Sequence, residues 1–136
     1  MHKLTRLSLP LVLLAVIACE PPAEPETTET AMSIDAESQP ELARVAELAR
    51  EDFAERAGVA PAAIEVVEAH AVTWADGALG CPEPGMMYTQ ALVEGFYVLL
   101  RTEDREQAYH AGSDAEPFAC PAERSAGPPP EDARRN

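Results

Sequence analysis

A segment rich in proline and glycine, residues 73–90, most limits how this chain can fold. Pro82 and Pro84 each fix a φ angle and lack a backbone N–H, so the segment is not an interior strand. Residues 83–86 read Glu-Pro-Gly-Met, the pattern of a type II turn, and Asp76 with Gly77 is a second turn signal. The sequence therefore predicts a stiff loop between two strands.

This loop is the candidate binding surface of the chain, because a segment with little conformational freedom loses little on binding. Methionine is an adaptable contact residue, and tyrosine an amphipathic one. The alternative is that Leu79, one methionine and Tyr88 only cover the open end of the core, above Trp74. Both interpretations stay open at this point. The candidate binding residues are Trp74, Asp76, Glu83, Pro84, Gly85, Met86, Met87 and Tyr88.

Hydrophobic periodicity predicts one helix and one strand before the loop. Ser38, followed three residues later by Glu41, has the form of a capping box, and Gly58 stands where a left-handed residue ends a helix. Residues 64–74 are rich in β-branched side chains and predict a strand. The residues expected on one face of that strand are Ile64, Val66, His70, Val72 and Trp74.

Two strands follow the loop as a hairpin around the polar turn at residues 102–105, and residues 117–121 return Cys120 to the sheet. The order of elements predicts an α+β fold. In this fold one N-terminal helix packs on a small antiparallel sheet of about three strands, with one disulfide.

The N-terminus is typical of an export signal. Lys3 and Arg6 precede an apolar run, residues 7–18, that is too short to span a bilayer as a helix. The ending Val-Ile-Ala-Cys resembles the lipobox of bacterial lipoproteins, which makes residues 1–18 a signal peptide. The resemblance implies that Cys19 carries a diacylglycerol and a further acyl chain such as palmitate, which together anchor a protein to a membrane. An uncleaved anchor or a plain secretory signal is the alternative.

Lipidation of Cys19 accounts for one of the three cysteines in the chain. Cys81 and Cys120 then remain in an oxidising compartment, where one disulfide is the simple expectation and two free thiols are the alternative. By the chain-entropy model such a disulfide contributes about 4 kcal/mol.

Composition predicts the limits of the folded domain. Residues 19–37 are mostly Pro, Glu, Thr, Ala and Ser, which predicts a disordered acidic tether. Residues 38–121 form the domain, and residues 122–136 are expected to be a disordered tail. Removal of the leader leaves 8 basic residues against 24 acidic ones, a formal charge of −16. Such a chain repels phosphate backbones, so we expect no nucleic-acid partner.

Catalytic and metal sites find little support in the sequence. A Cys–His hydrolase needs Cys81 as a thiolate beside His110 or His70, but a disulfide partner is available to this cysteine. The two histidines, with Asp76 or Glu68, lack the spacing of a recognisable metal site. We therefore expect no catalytic residues, no metal and no cofactor.

Residues 73–110 carry a pattern of specific residues, W-x-D-x-x-L-G-C-P-x-P-G-x-x-Y-x-Q, followed by Gly-aromatic and Tyr-His. This pattern resembles a family of small exported bacterial domains, and the resemblance implies no established activity. Its positions in this chain are Trp74, Asp76, Leu79, Gly80, Cys81, Pro82, Pro84, Gly85, Tyr88, Gln90, Gly95, Phe96, Tyr109 and His110.

Together these observations predict an envelope lipoprotein that is tethered to a membrane by its lipid and acts by binding a protein or peptide, with inhibition as one form of that binding. The first alternative is a purely structural envelope domain. A metal-binding or enzymatic domain is the less favoured alternative.

Overall fold

The computed structural model describes residues 34–114, 116–130 and 134–135. The predicted signal peptide, Cys19 and most of the predicted tether lie outside these residues. The described chain forms one α-helix, one short 3-10 helix and five strands. Their bounds are α1 Pro40–Ala57, the 3-10 helix Pro61–Ala63, β1 Glu65–Trp74, β2 Val93–Arg101, β3 Glu106–Gly112, β4 Phe118–Cys120 and β5 Arg134–Arg135.

The strands form one antiparallel sheet in the order β4-β3-β2-β1-β5, and α1 packs on one of its faces. A disulfide joins Cys81 to Cys120. The predicted α+β fold with one disulfide is therefore confirmed. The sheet has four main strands instead of about three, because the segment around Cys120 pairs with β3 as a strand of its own. β5 adds a two-residue bridge at the outer edge of β1.

The two ends of α1 differ in how well the sequence predicts them. Gly58 ends the helix in the left-handed conformation, with φ of 70°, and its N–H donates to the carbonyl of Ala54. The capping box at the other end is wrong. The N-cap residue is Gln39, without a side-chain cap, and Ser38 instead belongs to a turn in which Asp35 accepts its N–H and hydroxyl hydrogen bonds.

A β-bulge in β1 changes which side chains face the helix. The pairing with β2 shifts by one residue between Val66 and Glu68. Before the bulge, Val66 faces α1; beyond it, Ala69 faces α1, and Val72 lies on the opposite face. The single face predicted for residues 64–74 is therefore wrong, because one extra residue reverses the alternation of a strand.

The helix-side face of the sheet carries the larger core. The Tyr109 ring of β3 lies 6.4 Å from the ring of Phe53, and its hydroxyl donates to Asp52 Oδ2 at 2.5 Å. Burial and this hydrogen bond both raise the pKa of Tyr109. The buried residues of this core are Leu42, Val45, Ala46, Ala49, Phe53, Ala54, Ile64, Val66, Ala69, Phe96, Val98, Leu100, Tyr109 and Ala111.

The opposite face of the sheet is covered by the proline-rich loop and by residues 121–130. Residues 122–130, which the sequence analysis placed in a disordered tail, contact the loop and β3 in the structure. Ala126 donates its N–H to the carbonyl of Gly80 at 2.9 Å. The nearby disulfide, between cysteines 39 residues apart, keeps the start of this segment beside the loop. The core residues on this face are Val72, Trp74, Tyr97 and Ala108, with Leu79, Val93 and Leu99 packed against them.

Within residues 34–114, 116–130 and 134–135, no helix combines the length and apolar character that crossing a bilayer requires.

Candidate functional site

Trp74, predicted as a binding-loop residue, lies beneath the loop and is only 2% exposed. Its indole Nε1 donates to the carbonyl of Ala111 at 3.0 Å, and its ring stacks on His110 with centroids 4.8 Å apart. Two glycines make room for the ring. A Cβ at Gly80 would lie 2.5 Å from Trp74 Cζ3, and one at Gly95 would lie 2.7 Å from Nε1. Trp74 therefore supports the loop from below.

His110 is fully buried and joins the loop to the C-terminal segment. Its Nδ1 lies 2.6 Å from the carbonyl oxygen of Leu79, which can only accept, so Nδ1 carries the proton. Nε2 then accepts the hydroxyl of Ser125 at 3.0 Å. Burial lowers the pKa of His110, which favours this neutral form, although the Leu79 carbonyl opposes the shift.

The Ser125 hydroxyl, the His110 imidazole and the Leu79 carbonyl are hydrogen-bonded in series. Nucleophilic catalytic sites use the same series of hydroxyl, imidazole and acceptor. The backbone N–H groups around it are engaged, however. The N–H of Ser125 donates to Pro121, that of Ala126 to Gly80, and that of Gly127 to the Ser125 hydroxyl. These N–H groups therefore do not form an oxyanion hole, and the hydrogen bond instead holds residues 121–130 in place.

Sequence reasoning missed Ser125 because it treated residues after Pro121 as a disordered tail. One signal could have indicated its position. Cys120 is joined to Cys81, so the residues that follow it must start beside the loop. Cys81 itself has no free thiol in this structure, which removes the thiolate that a Cys–His hydrolase requires.

Asp76 shapes the first turn of the loop. Its Oδ1 accepts the N–H of Ala78 at 2.9 Å, and its backbone carbonyl accepts the N–H of Leu79 at 3.2 Å. The N–H of Gly77 donates to the carbonyl of Thr89 at 2.9 Å, which ties the two sides of the loop together. Leu79 has a φ of 53°, and this left-handed conformation accompanies the carbonyl contact with His110.

The outer part of the loop, residues 83–88, is called the loop tip below. It contains the predicted type II turn, because Met86 donates its N–H to the carbonyl of Glu83 at 3.1 Å and Gly85 has a φ of 80°. The Tyr88 hydroxyl accepts the N–H of Glu83 at 2.9 Å. Arg124 forms an ion pair of 3.2 Å with Glu83. Three interactions thus order a loop tip that contributes nothing to the buried clusters.

The structure divides the eight candidate residues into two groups. Trp74 and Asp76 support the fold, whereas the loop tip is mostly exposed and Tyr88 is half-buried. Met86 is 59% exposed and Met87 is 94% exposed. The inner half of the loop therefore covers the core, and the outer half presents side chains to the surroundings.

Among the described residues, His70 and His110 do not assemble a metal site with their neighbours. His70 lies 3.4 Å from Glu68, and the His110 ring packs against the rings of Trp74 and Tyr97. Within the ranges that the structure covers, no three His, Cys, Asp or Glu side chains are placed to hold an ion.

Comparison with protein families gives a match that covers more than half of the chain. The model of a domain of unknown function (DUF8738) matches residues 46–120. The match starts inside α1 and ends at Cys120, so it includes the whole proline-rich loop. Comparisons with curated proteins and with solved structures give no match. The chain therefore belongs to the family described as a domain of unknown function, DUF8738.

Proposed function

We propose that this protein is a lipid-anchored envelope protein whose domain binds a protein or peptide through the loop tip. The observation that carries the proposal is the exposure of two adjacent methionines, Met86 and Met87, on a loop tip that is itself well ordered. Inhibition of the bound partner is one form that such binding takes.

The physical argument rests on the conformational entropy of the loop tip. Binding costs free energy when it immobilises flexible groups, and a segment that is already fixed avoids most of that cost. The backbone around Met86 is fixed by the turn, by the Tyr88 hydroxyl and by the pairing of Glu83 with Arg124. Methionine side chains adapt their shape to an apolar partner surface. The loop tip therefore combines a rigid backbone with adaptable contact groups.

The anchor follows from the leader. A lipid on Cys19 would hold the protein at a membrane, and the tether of residues 19–37 would place the domain at a distance from it. Proline and like charges favour extension, so at about 3 Å per residue the tether spans up to roughly 60 Å. A binding domain on such a tether can reach partners in the envelope around its anchor.

Site-specific photocrosslinking in cells tests the binding surface. A photoreactive amino acid replaces Met87 in the full-length lipoprotein, and a matched variant carries it at Glu103, which is exposed in the turn between β2 and β3. We expect a discrete protein adduct from position 87 that is absent from position 103. Mass spectrometry of the adduct identifies the partner.

A stability measurement separates binding from a structural role. The double substitution Met86→Ser and Met87→Ser should change the free energy of unfolding by less than about 0.5 kcal/mol, because both side chains are exposed. Glu83 is left unchanged because it pairs with Arg124. A large loss of stability, or the same crosslinking pattern from positions 87 and 103, would favour the purely structural alternative.

A further inference from the structure

An apolar groove of about 500 Å³ runs beside the loop, between its inner half and the C-terminal segment. One wall is formed by the end of β1 and the start of the loop, and the other by residues 126–130. The side chains that matter here are Trp74, Pro82 and Leu92, together with the three consecutive prolines 128–130. Leu92 is 76% exposed, so its side chain is available to a ligand.

The walls of this groove are largely preformed. Trp74 is fixed by its hydrogen bond to Ala111 and by stacking on His110. Pro82 and residues 128–130 have restricted φ angles because of their rings. The C-terminal wall is tied to the loop through the Ala126–Gly80 hydrogen bond. Preformed apolar clefts of this size with few polar groups are typical ligand sites.

Asp76 is the one ionisable side chain among the described residues that line the groove. Its Oδ1 accepts the N–H of Ala78, and none of the basic side chains within residues 34–114 and 116–130 forms an ion pair with it. The groove thus combines apolar walls with one carboxylate that lacks a described cationic partner. This combination favours a ligand that is apolar in one part and positively charged beside it.

Charge also distinguishes between possible occupants. The tether, residues 19–37, contains acidic residues and no basic one, so it is repelled by Asp76. A second copy of the mature chain carries the same formal charge of −16 and is repelled as a whole. A basic polypeptide from another protein has the complementary charge.

We propose that the groove binds a polypeptide segment in which a bulky apolar side chain stands next to a lysine or arginine. The apolar side chain enters between Leu92 and the proline wall, and the cation pairs with Asp76. This inference rests on the proposed binding function and specifies the chemical class of the partner at a surface next to the loop tip.

Fluorescence titration of the full mature chain tests this assignment. Trp74 is the only tryptophan and lines the groove, so its emission reports occupancy. The probe is the synthetic peptide Gly-Ser-Leu-Arg-Ser-Gly. The comparison peptides replace its Arg with Gln or Glu, or its Leu with Ser. We expect saturable binding of the Leu-Arg peptide and weaker binding of the other three.

Two variants locate the binding. Asp76→Asn keeps an oxygen that can accept the Ala78 N–H but removes the charge, and it should weaken binding of the Leu-Arg peptide about fivefold. It should leave binding of the Leu-Gln peptide unchanged. Leu92→Ser changes an exposed side chain and should weaken both peptides. Glu103→Gln, which removes a carboxylate far along the chain in the β2–β3 turn, is the matched control and should bind like the wild type.

Three results would overturn the inference: no saturable change in emission, equal binding of the Leu-Arg and Leu-Glu peptides, or equal effects of Asp76→Asn and Glu103→Gln. Any of these leaves the loop-tip proposal standing, because crosslinking from position 87 concerns a surface that does not line the groove. Conversely, peptide binding in the groove without adducts from position 87 would refute only the loop-tip proposal.

Discussion

At the scale of single residues, the packing around Trp74 explains why the loop contains glycine where it does. Gly80 has a φ of 71° and lies against the indole ring, so both its backbone conformation and the space around it exclude a larger residue. Gly85 has a similar φ of 80° but no atom within 4 Å of a Cβ built there. A comparison of the two glycines therefore separates the effect of the left-handed backbone conformation from the effect of packing against Trp74.

Replacing each of these glycines with alanine should give different losses of stability. Gly85→Ala should cost about 1 kcal/mol, the price of a left-handed conformation for a residue with a Cβ. Gly80→Ala should cost about 3 kcal/mol, because displacement of the Trp74 ring is added to the same backbone term. Urea unfolding of the two variants beside the wild type measures both values. Equal losses of stability in the two variants would mean that the Trp74 ring moves aside without a cost in free energy.

Residue-scale predictions from the sequence succeeded where the chemistry is local. The type II turn at residues 83–86 depends on Pro84 and Gly85 alone, and it was predicted from those two positions. The role of Ser125 depends on His110, which comes earlier in the chain and belongs to a different element. No local pattern connects those two residues, so the sequence alone did not indicate their contact.

At the scale of elements, His110 joins three parts of the fold. It belongs to β3, its Nδ1 donates to the loop at Leu79, and its Nε2 accepts from Ser125 of the C-terminal segment. The aromatic rings of Trp74, Tyr97 and Phe118 lie around it, and none of these three side chains supplies a negative charge to a protonated imidazole. Protonation of Nε2 would break the hydrogen bond to Ser125 and place a charge in this enclosed position.

Stability should therefore fall as the pH is lowered through the titration of His110. Its pKa is lowered in the folded state from the ordinary value of 6.5, so below about pH 7 the unfolded chain binds a proton that the folded one does not. The free energy of unfolding should decrease from there until the pH reaches the lowered folded-state value. Urea unfolding between about pH 8 and 5 measures this loss, since 6.5 lies inside that range.

The control for this pH dependence is a matched pair of histidine variants. His110→Gln should reduce the change of stability over this pH range, because it removes the titrating group. His70→Gln removes the histidine of β1, which contacts Glu68 at 3.4 Å, and should retain the change. If both variants keep the full pH dependence, carboxylates rather than His110 are responsible.

Element-scale prediction failed at the bulge in β1 for a physical reason. The prediction assumes that side chains alternate between the two faces of the sheet along the whole of residues 64–74, as they do in a regular strand. The position of a bulge depends on how β1 pairs with β2, where Val66 is opposite Leu100 and Glu68 is opposite Leu99. Such pairing involves residues more than thirty positions apart and has no signature within β1 itself.

At the scale of the whole molecule, the order of elements was sufficient to predict the fold class. One amphipathic helix, a strand, a stiff loop and a hairpin leave few arrangements other than a helix on an antiparallel sheet. The end of the domain was harder to predict. Residues 122–130 look like a tail by composition, yet they cover the second face of the sheet through contacts with Gly80 and His110.

The proposed attachment of the molecule to a membrane gives a prediction at the same scale. Wild-type protein should incorporate labelled palmitate and sediment with membranes, whereas Cys19→Ala should do neither, because the thioether requires the cysteine sulfur. Glu20→Gln keeps the cysteine and is the control, which should be labelled normally. Metabolic labelling followed by membrane fractionation measures both properties. A Cys19→Ala protein that is still processed and labelled would exclude the lipoprotein assignment.

The loop has one further consequence for how this domain can vary. Cys81 is fixed by its disulfide and Thr89 by the bond from Gly77, so residues 82–88 run between two anchored points. Substitutions between those points do not reach either buried cluster. Related chains can thus differ at positions 83, 86 and 87, which the family pattern leaves open, while keeping the same interior, and engineered side chains can be introduced there for the same reason.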